Sequence, residues 1–261
     1  MEVLDINLPK VHWFNILEDH DCLWMFFNHL PPTQVGLAKS VDGVNFKVVR
    51  ESVLTKGPRF LNRFGPWDSV LIESHSVIRN AGKWRMYFGG YDGHWRIGYA
   101  ESKDLENWTK YWDNPVFDLG QNGWEAKHVA DPHLIDFNGK RLMYYMGKGD
   151  VWQVGLAVED GSRFTRHKKN PVIKAEKDWN NGCVCLSGII CVADQLLGAV
   201  HGYNPDDGKF RAYMMKSEDA VNWTESRFLG ENIIHPEIHA FKGELVLYYT
   251  DSENNFGRRY L

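Results

Sequence analysis

The stretch Ile97-Gly98-Tyr99-Ala100-Glu101-Ser102, running into Lys103-Asp104-Leu105-Glu106-Asn107-Trp108, decides the fold because it returns along the chain. Its counterparts are Val35-Gly36-Leu37-Ala38-Lys39-Ser40 with a turn to Phe46, Val154-Gly155-Leu156-Ala157-Val158-Glu159 with a turn to Phe164, and Ala212-Tyr213-Met214-Met215-Lys216-Ser217 with a turn to Trp223. Each joins a short apolar strand to a turn whose Asp accepts backbone N–H bonds and whose Gly or Asn tolerates positive φ. The closing aromatic is then expected to pack back between neighbouring sheets. These aromatics, Phe46, Trp108, Phe164 and Trp223, fall 62, 56 and 59 residues apart. That period suits a four-stranded propeller blade with generous loops.

Working outward, a continuously apolar run precedes each turn: Leu23 to Phe27, Trp84 to Phe88, Leu142 to Met146 and Leu196 to Val200, with a fifth at Leu245 to Tyr249. A strand apolar on both faces is covered on both faces, which blades stacked around an axis provide. A further β segment precedes each run: Val11 to Leu17, Ser74 to Arg79, Pro132 to Phe137, Ser187 to Val192 and Pro236 to Phe241. Five such pairs predict an all-β, five-bladed propeller of four-stranded antiparallel blades. The fifth unit runs short, so the N-terminal segment Glu2 to Leu8 is expected to supply its outermost strand and close the ring. No Pro-, Gly- or Ser-rich linker interrupts the repeats, and residues 1–261 read as one domain.

Composition agrees. Aromatic residues make up 14% of the chain, and aromatics favour strands. No helical period persists beyond about two turns, so helix should be scarce. The net charge of −4 and the lack of a basic cluster longer than Arg166-His167-Lys168-Lys169 argue against a nucleic-acid partner. No apolar run approaches the roughly 18 residues of a membrane helix, and the first residues lack the features of a signal peptide. A cytoplasmic protein without a membrane partner is the expectation; its oligomeric state is not legible. Cys183, Cys185 and Cys191 share one apolar run and read as small core residues rather than a thiolate metal site.

The segments Gly82 to Gly90, Arg96 to Trp108, Asp113 to Phe117 and Ala130 to Gly147 together resemble the five-bladed β-propeller glycosidases, the superfamily of arabinanases, xylosidases, invertases, levansucrases and mannoside phosphorylases. The resemblance spans about residues 10 to 252. It implies a glycoside hydrolase acting on a small glycoside or oligosaccharide through carboxylates at an axial funnel. Cleavage then needs one protonated carboxyl to protonate the leaving oxygen and one carboxylate to attack or to activate water.

In a propeller the first strand of each blade lines the axis, so polar groups at its start converge. Asp131 in Ala130-Asp131-Pro132 matches the family's Asp-Pro motif, and Pro132 is expected to hold it in extended backbone. Glu237 in Pro236-Glu237-Ile238-His239 resembles the Pro-acid-Ile-His stretch of arabinanase-like members. Glu73, before Ser74-His75, completes the expected catalytic set, offset by one position from Asp131. The first and fourth units lack an acid there.

Around these acids, Asp68, His75, His128, His235, Trp67 and Trp124 are the expected substrate-binding residues, the tryptophans by stacking on sugar rings, with interblade packing as their other reading. No cofactor is expected, with an axial divalent ion such as calcium as the one option that the histidines and carboxylates leave open. Two other readings stand beside hydrolysis. A phosphate-dependent glycoside phosphorylase would need only one acid, with Arg59, Arg63, Lys127 or His201 for phosphate. A lectin-like propeller would bind sugar and turn nothing over.

Overall fold

The computed structural model describes residues 2–3, 10–58, 66–121, 123–161 and 163–261. Strand β1 (Glu2–Val3) is followed by four strands joined as one antiparallel sheet, β2 (Trp13–Asp19), β3 (Cys22–Asn28), β4 (Gln34–Ser40) and β5 (Lys47–Thr55). A second such sheet holds β6 (Leu71–Asn80), β7 (Lys83–Tyr91), β8 (Trp95–Ser102) and β9 (Thr109–Lys110). The third set is β10 (His128–Phe137), β11 (Lys140–Lys148), β12 (Trp152–Asp160) and β13 (Arg163–Arg166), and the fourth is β14 (Cys183–Val192), β15 (Gln195–Asn204), β16 (Lys209–Ser217) and β17 (Thr224–Glu231). One parallel pairing, Trp152 with Cys183, joins these two sets into an eight-stranded sheet. The last set is β18 (Ile234–Phe241), β19 (Glu244–Thr250) and β20 (Phe256–Tyr260), with β1 added antiparallel to β20. The predicted N-terminal strand is thus present at Glu2–Val3; residues 4–8 lie outside the described residues. One short 3₁₀ turn, Gly123–Glu125, interrupts the strands, and no helix among the described residues is long and apolar enough to cross a membrane.

The first strands of the sets touch in sequence: β2 packs on β6, β6 on β10, β10 on β14, β14 on β18, and β18 on β2. Side chains from these strands bridge the gaps. Asn15 Oδ1 accepts from the Val77 amide at 3.0 Å, Ser76 Oγ from the Leu134 amide at 3.1 Å, and Glu237 Oε2 from the Ile16 amide at 2.9 Å. The same register position supplies the acceptor each time, so a polar ring position ties three of the five pairs of neighbouring first strands.

The repeat turns are built alike. Asp104 accepts from Ser102 Oγ, the Glu106 and Asn107 amides and Asn107 Nδ2, and Asp42 and Asp219 repeat the pattern with Ser40 and Asn45, and with Ser217 and Asn222. Each closing aromatic meets an aromatic of the preceding set nearly edge-on: Phe46 on Tyr248, Trp108 on Phe26, Phe164 on Tyr87 and Trp223 on Tyr144, at 6.1, 5.6, 5.5 and 5.5 Å between centroids. The motif that announced the fold is therefore the one that holds adjacent sheets together, through T-shaped contacts worth about 0.5–1.5 kcal/mol each beyond their buried area.

Candidate active site

Strand starts on the first strands are bulged. The pairing with the second strand slips between Glu73 and His75, Ala130 and His133, Leu186 and Gly188, and Ile234 and Glu237. In three of the four, one residue takes a left-handed backbone: Ser74 at φ 53°, Asp131 at 50° and His235 at 49°. A bulge turns a side chain out of the sheet's alternation and aims it, at a strain of about 1–3 kcal/mol for a residue with a side chain. The expectation that Pro132 would keep Asp131 extended is overturned here, because the bulge, not the proline, sets its conformation. Glu73 precedes the left-handed residue by one, which is the offset seen in the sequence.

These bulges open onto a cavity of about 210 Å³ lined by Trp13, Glu73, Ser74, Trp95, Asp131 and Trp152, with Ala130, Met146, Cys183, Cys185 and His201 completing the wall. Asp131 is buried, and burial pushes its carboxyl up to about 7; the neighbouring Glu73 charge adds to the rise, while Ser74 and Cys185 as donors and the charge on His12 oppose it. Glu73 sits 3.5 Å from His12 Nε2. Burial works against a charge on His12, but Glu73, Asn254 and Asp131 outweigh it, and the imidazole's pKa is raised. The cavity therefore holds two carboxyls in unlike settings: Asp131 deeply buried and Glu73 facing a histidine that favours charge. Burial keeps the surrounding imidazoles neutral, with His75 held down to about 4 and His133 and His201 to about 3, each without the compensation His12 receives.

Glu237 does not join them. It lines a separate cavity of about 130 Å³ with Asn15, Ser76, His133 and Gly188, the polar ring described above. Its two oxygens are engaged by Asn15 Nδ2 at 3.0 Å, the Ile16 amide at 2.9 Å and His239 Nε2 at 3.1 Å. The motif located a buried acid; two residues beyond His235, its side chain faces the neighbouring strand β2 and not the 210 Å³ cavity.

The expected binding residues also divide. The Trp67 and Trp124 rings lie on glycines of their own sheets, and a Cβ on Gly90 would stand 2.3 Å from Trp67 and one on Gly147 2.4 Å from Trp124. They are packing residues, with Trp179 over Gly202 as the third of the kind. The residue after each is buried and bonded: Asp68 to Lys110, Glu125 to Tyr145 at 2.8 Å and to Arg166 at 2.9 Å, Asn180 to the Lys177 amide at 2.9 Å. Asp68 is thus a fastener under its own sheet. His75 is buried beside Phe26 and does not line the cavity. His128 and His235 stand behind the wall: His128 accepts from the Trp95 amide at 3.2 Å and stacks on Trp152, and His235 lies 3.5 Å from Trp13, centroid to centroid.

The aromatic wall is instead Trp13, Trp95 and Trp152. Two of these were legible, since Trp95 and Trp152 each stand three residues before the glycine of the repeat, at Gly98 and Gly155. Cys185 and His201 carried no such signal. The cysteines are not uniformly core residues either: Cys185 is buried, Cys183 half-buried and Cys191 exposed. The Cys185 thiol donates to Asp131 Oδ2 at 3.6 Å, and burial, with the Asp131 charge, raises its pKa well above the ordinary value. Among the described residues, no three His, Cys, Asp or Glu side chains are grouped to hold a metal ion. Arg59 and Arg63 lie outside the described residues, and Lys127 pairs with Asp150 at the surface, 3.2 Å away.

No family model matches the chain. An uncharacterised protein of Mycobacterium tuberculosis is 29% identical over 119 residues, which is 45% of this chain and 37% of that protein, so the match spans well under half of the curated relative. Solved structures align along nearly the whole chain. A glycoside hydrolase superposes with a TM-score of 0.77 at 18% identity, covering 96% of this chain and 86% of that one. An exo-1,5-α-L-arabinanase from a bovine ruminal metagenomic library gives 0.72 at 17%, covering 97% and 93%. A structure from the GH130 family of mannoside phosphorylases, which contains glycoside hydrolases that target β-1,2 mannosidic linkages in Candida mannan, gives 0.75 at 13%, covering 96% and 84%. The chain has the fold of these carbohydrate-active enzymes.

Proposed function

We propose that the five strand sets are the blades of a five-bladed propeller closed through β1, and that the protein is a glycoside hydrolase acting at the axial cavity with Asp131 as general acid and Glu73 as the ionised carboxylate. One observation carries this reading: two carboxyls share one aromatic-walled cavity, and burial pushes one of them, Asp131, up to about 7. That is how one site runs acid and base chemistry at the same pH. A carboxyl that keeps its proton to about 7 is able to protonate a leaving glycosidic oxygen near neutrality. Glu73, opposite His12, attacks the anomeric carbon or activates water. Trp13, Trp95 and Trp152 offer apolar faces for a sugar ring, and the neutral His201 offers a hydrogen-bonding edge. The chemistry asks for no cofactor. Glu237 has a structural role in this reading.

The test is a panel of nitrophenyl glycosides (arabinofuranoside, xyloside, galactoside, mannoside, fructoside analogues) with and without inorganic phosphate, run on wild type and Asp131→Asn. Release of free sugar that Asp131→Asn abolishes supports hydrolysis. Sugar 1-phosphate formed only with phosphate present would replace it with phosphorolysis. Saturable sugar binding without turnover in either protein would replace it with a lectin-like propeller.

A further inference from the structure

From Asp131 a line of polar side chains runs outward across the fourth blade. The Cys185 thiol donates to Asp131 Oδ2 at 3.6 Å, the Ser187 hydroxyl reaches Cys185 Sγ at 3.8 Å, and Ser187 Oγ lies 3.1 Å from His201 Nδ1. All four residues are buried, and Asp131, Cys185 and His201 share the 210 Å³ cavity. The chain leaves the sheet because of the bulge between Leu186 and Gly188, which falls at Ser187 and turns its hydroxyl beside Cys185.

Proton counting fixes how such a line behaves. A thiol and a hydroxyl each carry one hydrogen, and a neutral imidazole carries one on either nitrogen. With Asp131 ionised, the thiol hydrogen points at Oδ2 and the Ser187 hydrogen at sulfur. His201 must then present Nδ1–H to Ser187 Oγ, leaving Nε2 as an acceptor. With a proton on Oδ2, the carboxyl donates to sulfur and the thiol turns to the Leu186 carbonyl, 3.9 Å away. The Ser187 hydroxyl is then free to donate to Nδ1, and the ring hydrogen moves to Nε2. Neither arrangement leaves two hydrogens facing each other. Both arrangements have the sulfur accept one hydrogen; the mixed ones make it accept two or none.

We propose that Cys185 and Ser187 are positioning residues that couple the proton on Asp131 to the tautomer of His201, so that Nε2 offers the cavity a donor when Asp131 is protonated and an acceptor when it is ionised. The functional meaning rests on the reading of Asp131 as the acid. Before proton transfer His201 would donate to a substrate oxygen; after it, His201 would accept, loosening a contact as the leaving group departs. Asp131 is faced by Glu73 from β6, His12 from the segment before β2, Cys183 and Cys185 from β14 and His201 from β15. His201 stays neutral down to about 3, and burial raises both thiols, which therefore stay protonated. His12 is the cation whose own titration overlaps, and a His12→Asn background separates it.

The experiment is nuclear magnetic resonance on the full chain labelled at histidine ring nitrogens and aspartate carboxyl carbons, titrated from pH 5 to 9. The wild type should show the His201 nitrogen pattern change from Nε2–H to Nδ1–H at the midpoint of the Asp131 carboxyl. In Cys185→Ala the carboxyl should still titrate, its midpoint moved up by loss of a donor, while His201 stays in one pattern. Cys185→Ser, which restores a donor and acceptor, should restore the coupling. A wild-type His201 pattern constant across the Asp131 midpoint, or coupling that survives Cys185→Ala, overturns the proposal. If the alanine variant does not fold, the wild-type and serine titrations decide alone. No step uses turnover, so failure of the glycosidase reading on every substrate would leave this result standing.

Discussion

Asp131 and Glu237 are both buried carboxyls on first strands, one lining the 210 Å³ cavity and one the 130 Å³ cavity, and they live in opposite chemistry. Glu237 meets three hydrogen-bond partners and ties the last blade to the first. Asp131 meets Ser74 and the weak Cys185 sulfur donor beside the 210 Å³ cavity, and burial holds its proton up to about 7. The same residue class becomes a fastener where its oxygens are saturated and a carboxyl that holds its proton where burial outweighs its donors. What separates them is two positions of strand register beyond a bulge.

Breaking the fastener should give the largest effect. Glu237→Ala leaves the Ile16 amide and Asn15 without an acceptor between the two blades, and a stability loss of about 3–5 kcal/mol is expected in urea unfolding, with turnover per folded molecule within a few-fold of wild type. A variant as stable as wild type would remove Glu237 from the polar ring. Next comes Asp131→Asn, for which turnover should fall on the order of 10²-fold or more while the melting temperature holds or rises.

That rise has a pH sign. The folded chain keeps the Asp131 proton to about 7, whereas the unfolded chain releases it near 3.8, so stability falls as pH climbs through that window. Asp131→Asn abolishes this loss, and its advantage over wild type should grow from pH 4 to pH 8, by on the order of 4 kcal/mol at most. His133 and His201 act the other way: the unfolded chain binds their protons below about 6.5 and the folded chain does not until about 3, so the wild type should lose stability as pH falls between those values. Calorimetry on both proteins across pH 4 to 8 checks both signs. Activity that needs protonated Asp131 should itself decline as pH rises through about 7.

The smallest effect sharpens the comparison at the wall. Trp152→Ala should raise KM about tenfold through lost stacking, about 1.4 kcal/mol, with little change in melting temperature. Trp67→Ala, which empties a packed seat over Gly90 and Gly98, should do the reverse, costing about 3–5 kcal/mol of stability with KM unchanged. Equal KM changes in the two would contradict the division between wall and packing tryptophans.

The fold was legible because its signals are periodic. Ser102, Asp104, Asn107 and Trp108 recur with their spacing in three turns, and each group acts locally, so sequence distance and spatial distance agree. Asp131 and Glu73 were legible as acids at strand starts. That Glu237 lines a cavity apart from Asp131 and Glu73 was not legible, because a bulge shifts register without leaving a residue-type signature. The packing of Trp67 and Trp124 on Gly90 and Gly147 was not legible, because those glycines are more than 20 residues downstream. Cys185 and His201 join the site only through pairing of β14 with β15 and packing of β14 on β10, which no single segment encodes.

Leaving-group dependence tests the central claim most directly. A general acid matters in proportion to how badly the departing oxygen needs a proton. Asp131→Asn should therefore lose on the order of 10²-fold or more in kcat/KM on an alkyl glycoside and much less on the dinitrophenyl glycoside of the same sugar, while Glu237→Gln should show no such dependence. Equal losses on both substrates in Asp131→Asn, or a leaving-group dependence that follows Glu237 instead, would contradict the assignment of the acid to the mouth of the axis.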